Sequence, residues 1–179
     1  AETIDAKGGW ISPGFVDIHV HGGGGSDFMD GSLEAVQQSC RTHARHGTTT
    51  LFPTTSTGGP KQIRAMMDAT RRAQQSWTAQ NGAAIGGVHL YGPFFAKDKV
   101  GCHKDSGCRH PTAKEFESYF ESGIVKVATC AAELPGAAAF YRHAYRKGCL
   151  VTCGHSNSTW SEMDKKNKNG MRHVDHFWC

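Results

Sequence analysis

His19 and His21 stand two residues apart at the end of the run Pro13-Gly14-Phe15-Val16-Asp17-Ile18, with Gly22, Gly23, Gly24 and Gly25 directly behind them. Side chains two apart leave the same face of a β-strand, so this spacing points both imidazoles the same way. The glycine run ends the strand and puts the pair at its C-terminal mouth, where barrel enzymes keep their chemistry. His155 and His176 follow or close later runs that also read as strands. One histidine at a strand end is ordinarily a surface or packed residue, but four at matching strand ends call for a shared task. Neutral imidazoles commonly ligate zinc and similar divalent metals. A metal with an open position lowers the pKa of bound water to about 7 and polarises a carbonyl, which are the needs of amide hydrolysis.

The other polar residues take quieter readings. Asp17 shares the face of the histidine pair but lies deeper in the strand, which suits support of a ligand, while Asp175 should point away from His176 in an extended strand. His43, His46 and His143 fall on helical stretches and read as packed or solvated. His173 should face away from His176, and His89 reads as a buried, hydrogen-bonded core residue. His103 and His110 lie in a long polar connection where substrate contact fits.

These side chains have to be positioned by alternating elements. Ser32 can cap a helix over residues 33–46 that Gly47 stops, and the β-branched run 48–52 reads as a second strand closed by Pro53. Pro60 opens a helix over 60–80, in which Ile63, Met66, Met67, Thr70 and Ala73 recur at helical spacing. A third strand spans 84–90, and the connection from Tyr91 runs to Pro111. Thr112 with Glu115 reads as a capping box before a helix that Gly123 ends, followed by a strand over 124–129. A helix from Pro135 to Lys147, a strand over 149–153, a helix capped by Ser158 and reaching Asn169, and a sixth strand over 172–177 complete the pattern.

Strands alternating with helices of this length predict a parallel α/β sheet. The GxGxxG phosphate fingerprint of a doubly wound sheet does not follow the first strand, so a (β/α)8 TIM barrel with about six strands present, an incomplete barrel, fits better. Residues 12–179 form that partial barrel, and the chain of 179 residues is shorter than the roughly 200 to 250 that closed barrels use.

Twenty basic and 16 acidic residues give a net charge of +4 spread along the chain, which makes no case for nucleic acid or a membrane surface. The cluster Asp164-Lys165-Lys166-Asn167-Lys168-Asn169 reads as a solvated helix end. Seven cysteines form no regular framework and no CxxC pair, so they read as reduced thiols rather than a zinc knuckle. With neither a leader-like nor a membrane-length apolar segment in view, a cytoplasmic setting is expected.

Taken together, His19-Val20-His21-Gly22, His89-Leu90-Tyr91-Gly92-Pro93-Phe94, Gly101-Cys102-His103, Ala131-Ala132-Glu133, Gly154-His155-Ser156 and His176-Phe177-Trp178 resemble, in order, the motifs of N-acetylglucosamine-6-phosphate deacetylases of the amidohydrolase superfamily. The resemblance implies a metal-dependent barrel joined to a small β-domain whose end and linker correspond to residues 1–11. It implies removal of the acetyl group from an amino-sugar phosphate by a metal-bound water, with a divalent metal, zinc in the first place. His155 and His176 match metal ligands of the family, and His19 and His21 match the pair used by members with a fuller site. His103 matches a substrate-contacting histidine, and the Cys102 amide would help hold the sugar. The partner it implies is a small-molecule amino-sugar phosphate, and a homodimer is among the assemblies it allows. Tyr91 replaces a ligating glutamate of the family motif, Cys179 replaces an asparagine, and the acid/base aspartate is expected beyond Cys179, so no catalytic residue is assigned within this chain. A non-catalytic sugar-phosphate-binding barrel and an inactive truncated fragment are the alternatives.

Overall fold

The computed structural model describes residues 3–178; the substitution at Cys179 and the outermost ends of the two expected segments lie outside them. Residues 3–14 hold turns and coil without a strand, and Trp10 is fully exposed. Strand β1 (Phe15–Val20) runs into a two-rung antiparallel hairpin, β2 (Gly22–Gly23) and β3 (Ser26–Asp27). Its turn residues, Gly24 and Gly25, have φ of 64° and 84°, the left-handed backbone that a two-residue hairpin turn requires.

Helix α1 (Leu33–Ala44) begins where Ser32 accepts a hydrogen bond from the Ala35 amide, and it stops short of the expected end as Arg45 and His46 turn into Gly47. Strand β4 (Thr48–Pro53) leads to α2 (Pro60–Gln75), which ends five residues early. Beyond it Thr78 and Asn81 close a separate 3-10 turn. The expected third strand is split into β5 (Ala84–Ile85) and β6 (Val88–Leu90). Gly86 sits at the break because a Cβ there would come within 2.4 Å of the Phe52 ring.

Helix α3 (Ala113–Phe120) lacks the expected capping box at Thr112. Glu115 is drawn away to Arg109 and to the Tyr119 hydroxyl, at 2.5 and 2.7 Å, charge-assisted bonds stronger than a cap to an amide. After β7 (Val125–Thr129), α4 (Ala137–Arg146) starts behind Gly136 rather than at Pro135. Strand β8 (Leu150–Cys153) precedes α5 (Trp160–Asn167), whose cap is Thr159 paired with Glu162, since the Ser158 hydroxyl is committed to Glu133. Strand β9 keeps only His173–Val174.

The chain is thus α/β with parallel sheets. β1, β4 and β5 pair in one ladder and β6, β7, β8 and β9 in another, and a parallel bridge between Thr54 and His89 joins them. Strand order follows chain order without a reversal, unlike a doubly wound sheet. Leu51, Val88, Leu90, Val125, Val127 and Val151 bury the strands, while Phe140 on α4 stacks edge-on against Phe94 and Phe116. Among the described residues, no helix is long and apolar enough to cross a membrane. Among the described residues six cysteines are free: Cys40, Cys108, Cys130, Cys149 and Cys153 are buried and Cys102 is exposed.

Candidate functional site

Every strand of the parallel order points its C-terminal end the same way, and the side chains singled out above meet there. The rings of His19 and His21 lie 5.2 Å apart on the shared face their spacing predicts. A register irregularity in β1 between Asp17 and Val20 turns the end of the strand, and the Asp17 carboxylate accepts from the His19 backbone amide at 3.0 Å. Asp17 therefore braces the backbone under the ring rather than the ring itself. His43 donates to the Gly22 carbonyl at 2.9 Å and steadies the hairpin behind the pair.

His155 and His176 arrive by a different route: both take left-handed backbone, φ 49° and 53°. Such values are uncommon for residues other than glycine, and cluster where surrounding structure fixes a side chain for a task. The turn at His176 overturns the extended-strand expectation for its neighbour. Asp175 leaves β9, and its carboxylate turns inward to accept from the Thr129 and Thr152 hydroxyls at 2.9 and 2.5 Å. His176 also faces inward, 5.2 Å from His19 and 5.6 Å from His155 between ring centres.

The His155 ring stacks on Phe95 at 4.2 Å and donates from Nδ1 to the Lys99 carbonyl at 2.6 Å. That bond fixes the neutral tautomer with its lone pair on Nε2, a buried atom with no hydrogen-bond partner. Glu133 shapes the loop behind the ring, accepting from Ser156, Ser158 and the Asn157 amide.

His103 comes from the long connection and lies 5.3 Å from His21 and 5.1 Å from His155 between ring centres; its Nδ1 is 2.8 Å from the Ser56 hydroxyl. It lines a cavity of about 400 Å³ with His21, Ser56, Gln62, Cys102 and Lys104. A second cavity of similar size lies on the other side, bounded by His155, Ser156, Asp175 and His176. All six residues expected at the site are therefore at one end of the sheet.

Two further residues complete the cluster: His89, expected only as core, and Tyr91, which the motif resemblance puts in place of a ligating glutamate. His89 is buried and hydrogen-bonded as anticipated, through Nδ1 to the Ile18 carbonyl and Nε2 to Thr129, yet its ring also floors the site 5.1 Å from His19. In the fold it lies on a short strand between β7 and the end of β4; its place one residue before the end of an apolar strand run was the available signal. Tyr91 is the centre of the arrangement. Fully buried, it meets the rings of His19 at 4.2 Å, His89 at 5.1 Å, His155 at 5.2 Å and His21 at 5.7 Å, and its hydroxyl is 2.9 Å from His176 Nε2.

Burial, with crowding, favours the neutral form of His19, His21, His89, His103 and His155. Burial, reinforced by the neighbouring His21 and His176, lowers the pKa of His19 to about 3, and burial with His21 and His155 lowers that of His103 to about 4. Burial also lowers His21 and His155, and it lowers His89 to about 3. Neutral imidazoles are the donor type a borderline divalent cation prefers, and the free lone pair of His155 Nε2 suits one. The set as a whole does not fit. No three histidine, cysteine or carboxylate donors among the described residues are grouped to hold a metal ion, and the Tyr91 ring lies among theirs with its hydroxyl on His176 Nε2.

Comparison with known proteins places the whole region in one company. The amidohydrolase family matches residues 10–176. The chain is 30% identical over 182 residues to the N-acetylglucosamine-6-phosphate deacetylase of Danio rerio, covering 98% of this chain and 44% of that protein. It is 27% identical over 171 residues to the enzyme of the same name from Bacillus subtilis, covering 94% and 43%. The crystal structure of the Mycobacterium smegmatis N-acetyl-D-glucosamine-6-phosphate deacetylase superposes with a TM-score of 0.84 at 28% identity, covering 93% of this chain and 43% of that one. The chain thus spans less than half the length of the relatives it matches.

Proposed function

Because the chain belongs to the amidohydrolase family, we propose that it is the histidine-bearing part of a hydrolase that removes the acetyl group from N-acetylglucosamine 6-phosphate or a close amino-sugar phosphate. The observation that carries this reading is the convergence of His19, His21, His103, His155 and His176 at one end of a parallel sheet, in a chain whose relatives bear that activity in their names. In this reading the sheet is the first six strands of a (β/α)8 barrel, residues 12–179 are its catalytic domain, and residues 1–11 are the linker from a small β-domain. Six free thiols suit a reducing cytoplasm.

The cavity beside His21 would take the sugar phosphate. Its Lys104 supplies a cation for the phosphate, while His103 and the Cys102 amide reach the sugar and its amide. His103 is held by Ser56, so its free nitrogen is aimed rather than rotating, which lowers the cost of ordering it on binding. The general acid/base is not assigned to any residue of this chain. Amidohydrolases generally use a divalent metal, and imidazole donors at His19, His21, His155 and His176 would favour zinc. No step is assigned to it here, since the donors as folded do not close around an ion.

The test is acetate release from N-acetylglucosamine 6-phosphate by the full-length protein. Turnover supports the proposal, with His103→Asn expected to raise KM at least ten-fold. Tight binding of the sugar phosphate without turnover would overturn it in favour of a non-catalytic binding barrel, the reading that the buried Tyr91 phenol favours.

A further inference from the structure

We propose that Tyr91 is a competitor for the metal position: an internal plug that occupies the His155 and His176 side of the imidazole cluster and has to leave it before a divalent cation can be held there. The inference rests on the metal-dependent reading above. Its first support is position. The phenol is completely buried and packed edge-on against five imidazoles, those of His19, His21, His89, His155 and His176, so it fills the space among those rings. Its second support is the bond it makes. The Tyr91 hydroxyl engages His176 Nε2 at 2.9 Å, and a nitrogen in that bond either carries a proton or spends its lone pair accepting one. Neither form of the nitrogen can ligate a cation at the same time.

The neighbouring donor supplies the third. His155 Nε2 holds a lone pair, is buried and has no hydrogen-bond partner, an expensive arrangement for a polar atom unless something binds it. The phenol ring lies 5.2 Å from that imidazole in a T-shaped contact, and no hydrogen bond joins it to His155 Nε2. A half-built site results: one imidazole nitrogen is prepared for a cation, and the adjacent one is tied to a phenol. A neutral phenol has a pKa near 10 and offers far weaker donation than a carboxylate at neutral pH. Replacing the plug by a small side chain removes the phenol's bond to His176 Nε2, and replacing it by a carboxylate also adds an anionic ligand in its place.

Zinc titration of the full-length protein by isothermal calorimetry, with bound zinc counted by mass spectrometry after dialysis, tests the inference. Tyr91→Glu should bind one zinc at least ten-fold more tightly than the unsubstituted protein, and Tyr91→Ala should bind more tightly as well. Tyr91→Phe, which keeps the ring but removes the hydroxyl bonded to His176 Nε2, should fall between the unsubstituted protein and Tyr91→Glu. A full complement of zinc in the unsubstituted protein, held as tightly as in Tyr91→Glu or lost in Tyr91→Phe, would overturn the plug, because the phenol would then be a ligand or a bystander. Should Tyr91→Glu fail to fold by circular dichroism, the Tyr91→Ala and Tyr91→Phe titrations decide. Acetate release read separately keeps the two ideas apart: turnover with tightly held zinc in the unsubstituted protein sinks the plug alone. A gain of zinc in Tyr91→Glu without turnover in any form sinks the deacetylase reading alone.

Discussion

His19, His21, His89, His103 and His155 share one electrostatic condition: burial lowers the pKa of each and favours the neutral ring. His19 has its pKa lowered to about 3 and His103 to about 4, against 6.5 for an unfolded histidine. A folded pKa below the unfolded one means that the unfolded chain binds protons more readily, so acid favours unfolding. The neutral cluster's contribution is complete above pH 6.5 and is lost as pH falls from there toward 4. The expected outcome is a melting temperature that is level from pH 8 to 7 and declines between pH 6.5 and 4. His19→Gln should flatten the decline, measured by circular dichroism at fixed ionic strength; an unchanged slope would count against a buried neutral ring. At this scale the sequence was informative about which histidines converge, because strand spacing fixes the direction of His19 and His21. The motif resemblance put Tyr91 at a ligand position, but that its ring packs among five imidazoles depends on contacts between separate strands. The sequence misdirected Asp175, whose inward turn depends on the left-handed backbone at His176.

At the scale of elements, the site depends on strands ending at the right depth. The third strand is interrupted between β5 and β6, and the gap lets His89 bridge to Thr54 while its ring reaches Ile18 and Thr129. Gly86 permits the break by admitting the Phe52 ring into the space of a side chain. Gly86→Ala is expected to destabilise the fold by about 1 to 3 kcal/mol, the usual cost of overpacking, seen as a lower urea midpoint with unchanged m-value. A compensating Phe52→Leu substitution should recover part of the loss. Helix identities were readable from apolar spacing and from Ser32, Pro60 and the closing glycines. Helix ends were less so. The Thr112 cap failed because Arg109, only six residues away, holds Glu115, and the Ser158 cap failed because Glu133, 25 residues away, took the hydroxyl; capping patterns alone show neither competitor.

Over the whole molecule, β1 and β9 are the outer strands of the parallel order, and neither has a second strand partner among the described residues. Phe15 and Val16 on β1 are 72% and 62% exposed, an apolar edge with open hydrogen-bonding groups and therefore a template for pairing with another chain. The 179-residue chain produced by itself is expected to self-associate, with gel-filtration volume falling as concentration rises. Phe15→Lys combined with Val16→Lys should shift it toward the monomer, as charges blunt an edge; an unaffected elution profile would place the contact elsewhere.

The sequence alone determined the alternation of strands and helices, the parallel α/β class, and the set of histidines brought to one end of the sheet. These follow from periodicity and from chain punctuation, both of which are local. The tertiary structure decided what lies among those rings. Whether imidazole nitrogens converge on a cation, or on the hydroxyl of Tyr91, depends on distances between β1, β6, β8 and β9 and on two left-handed turns, none of which a linear pattern encodes.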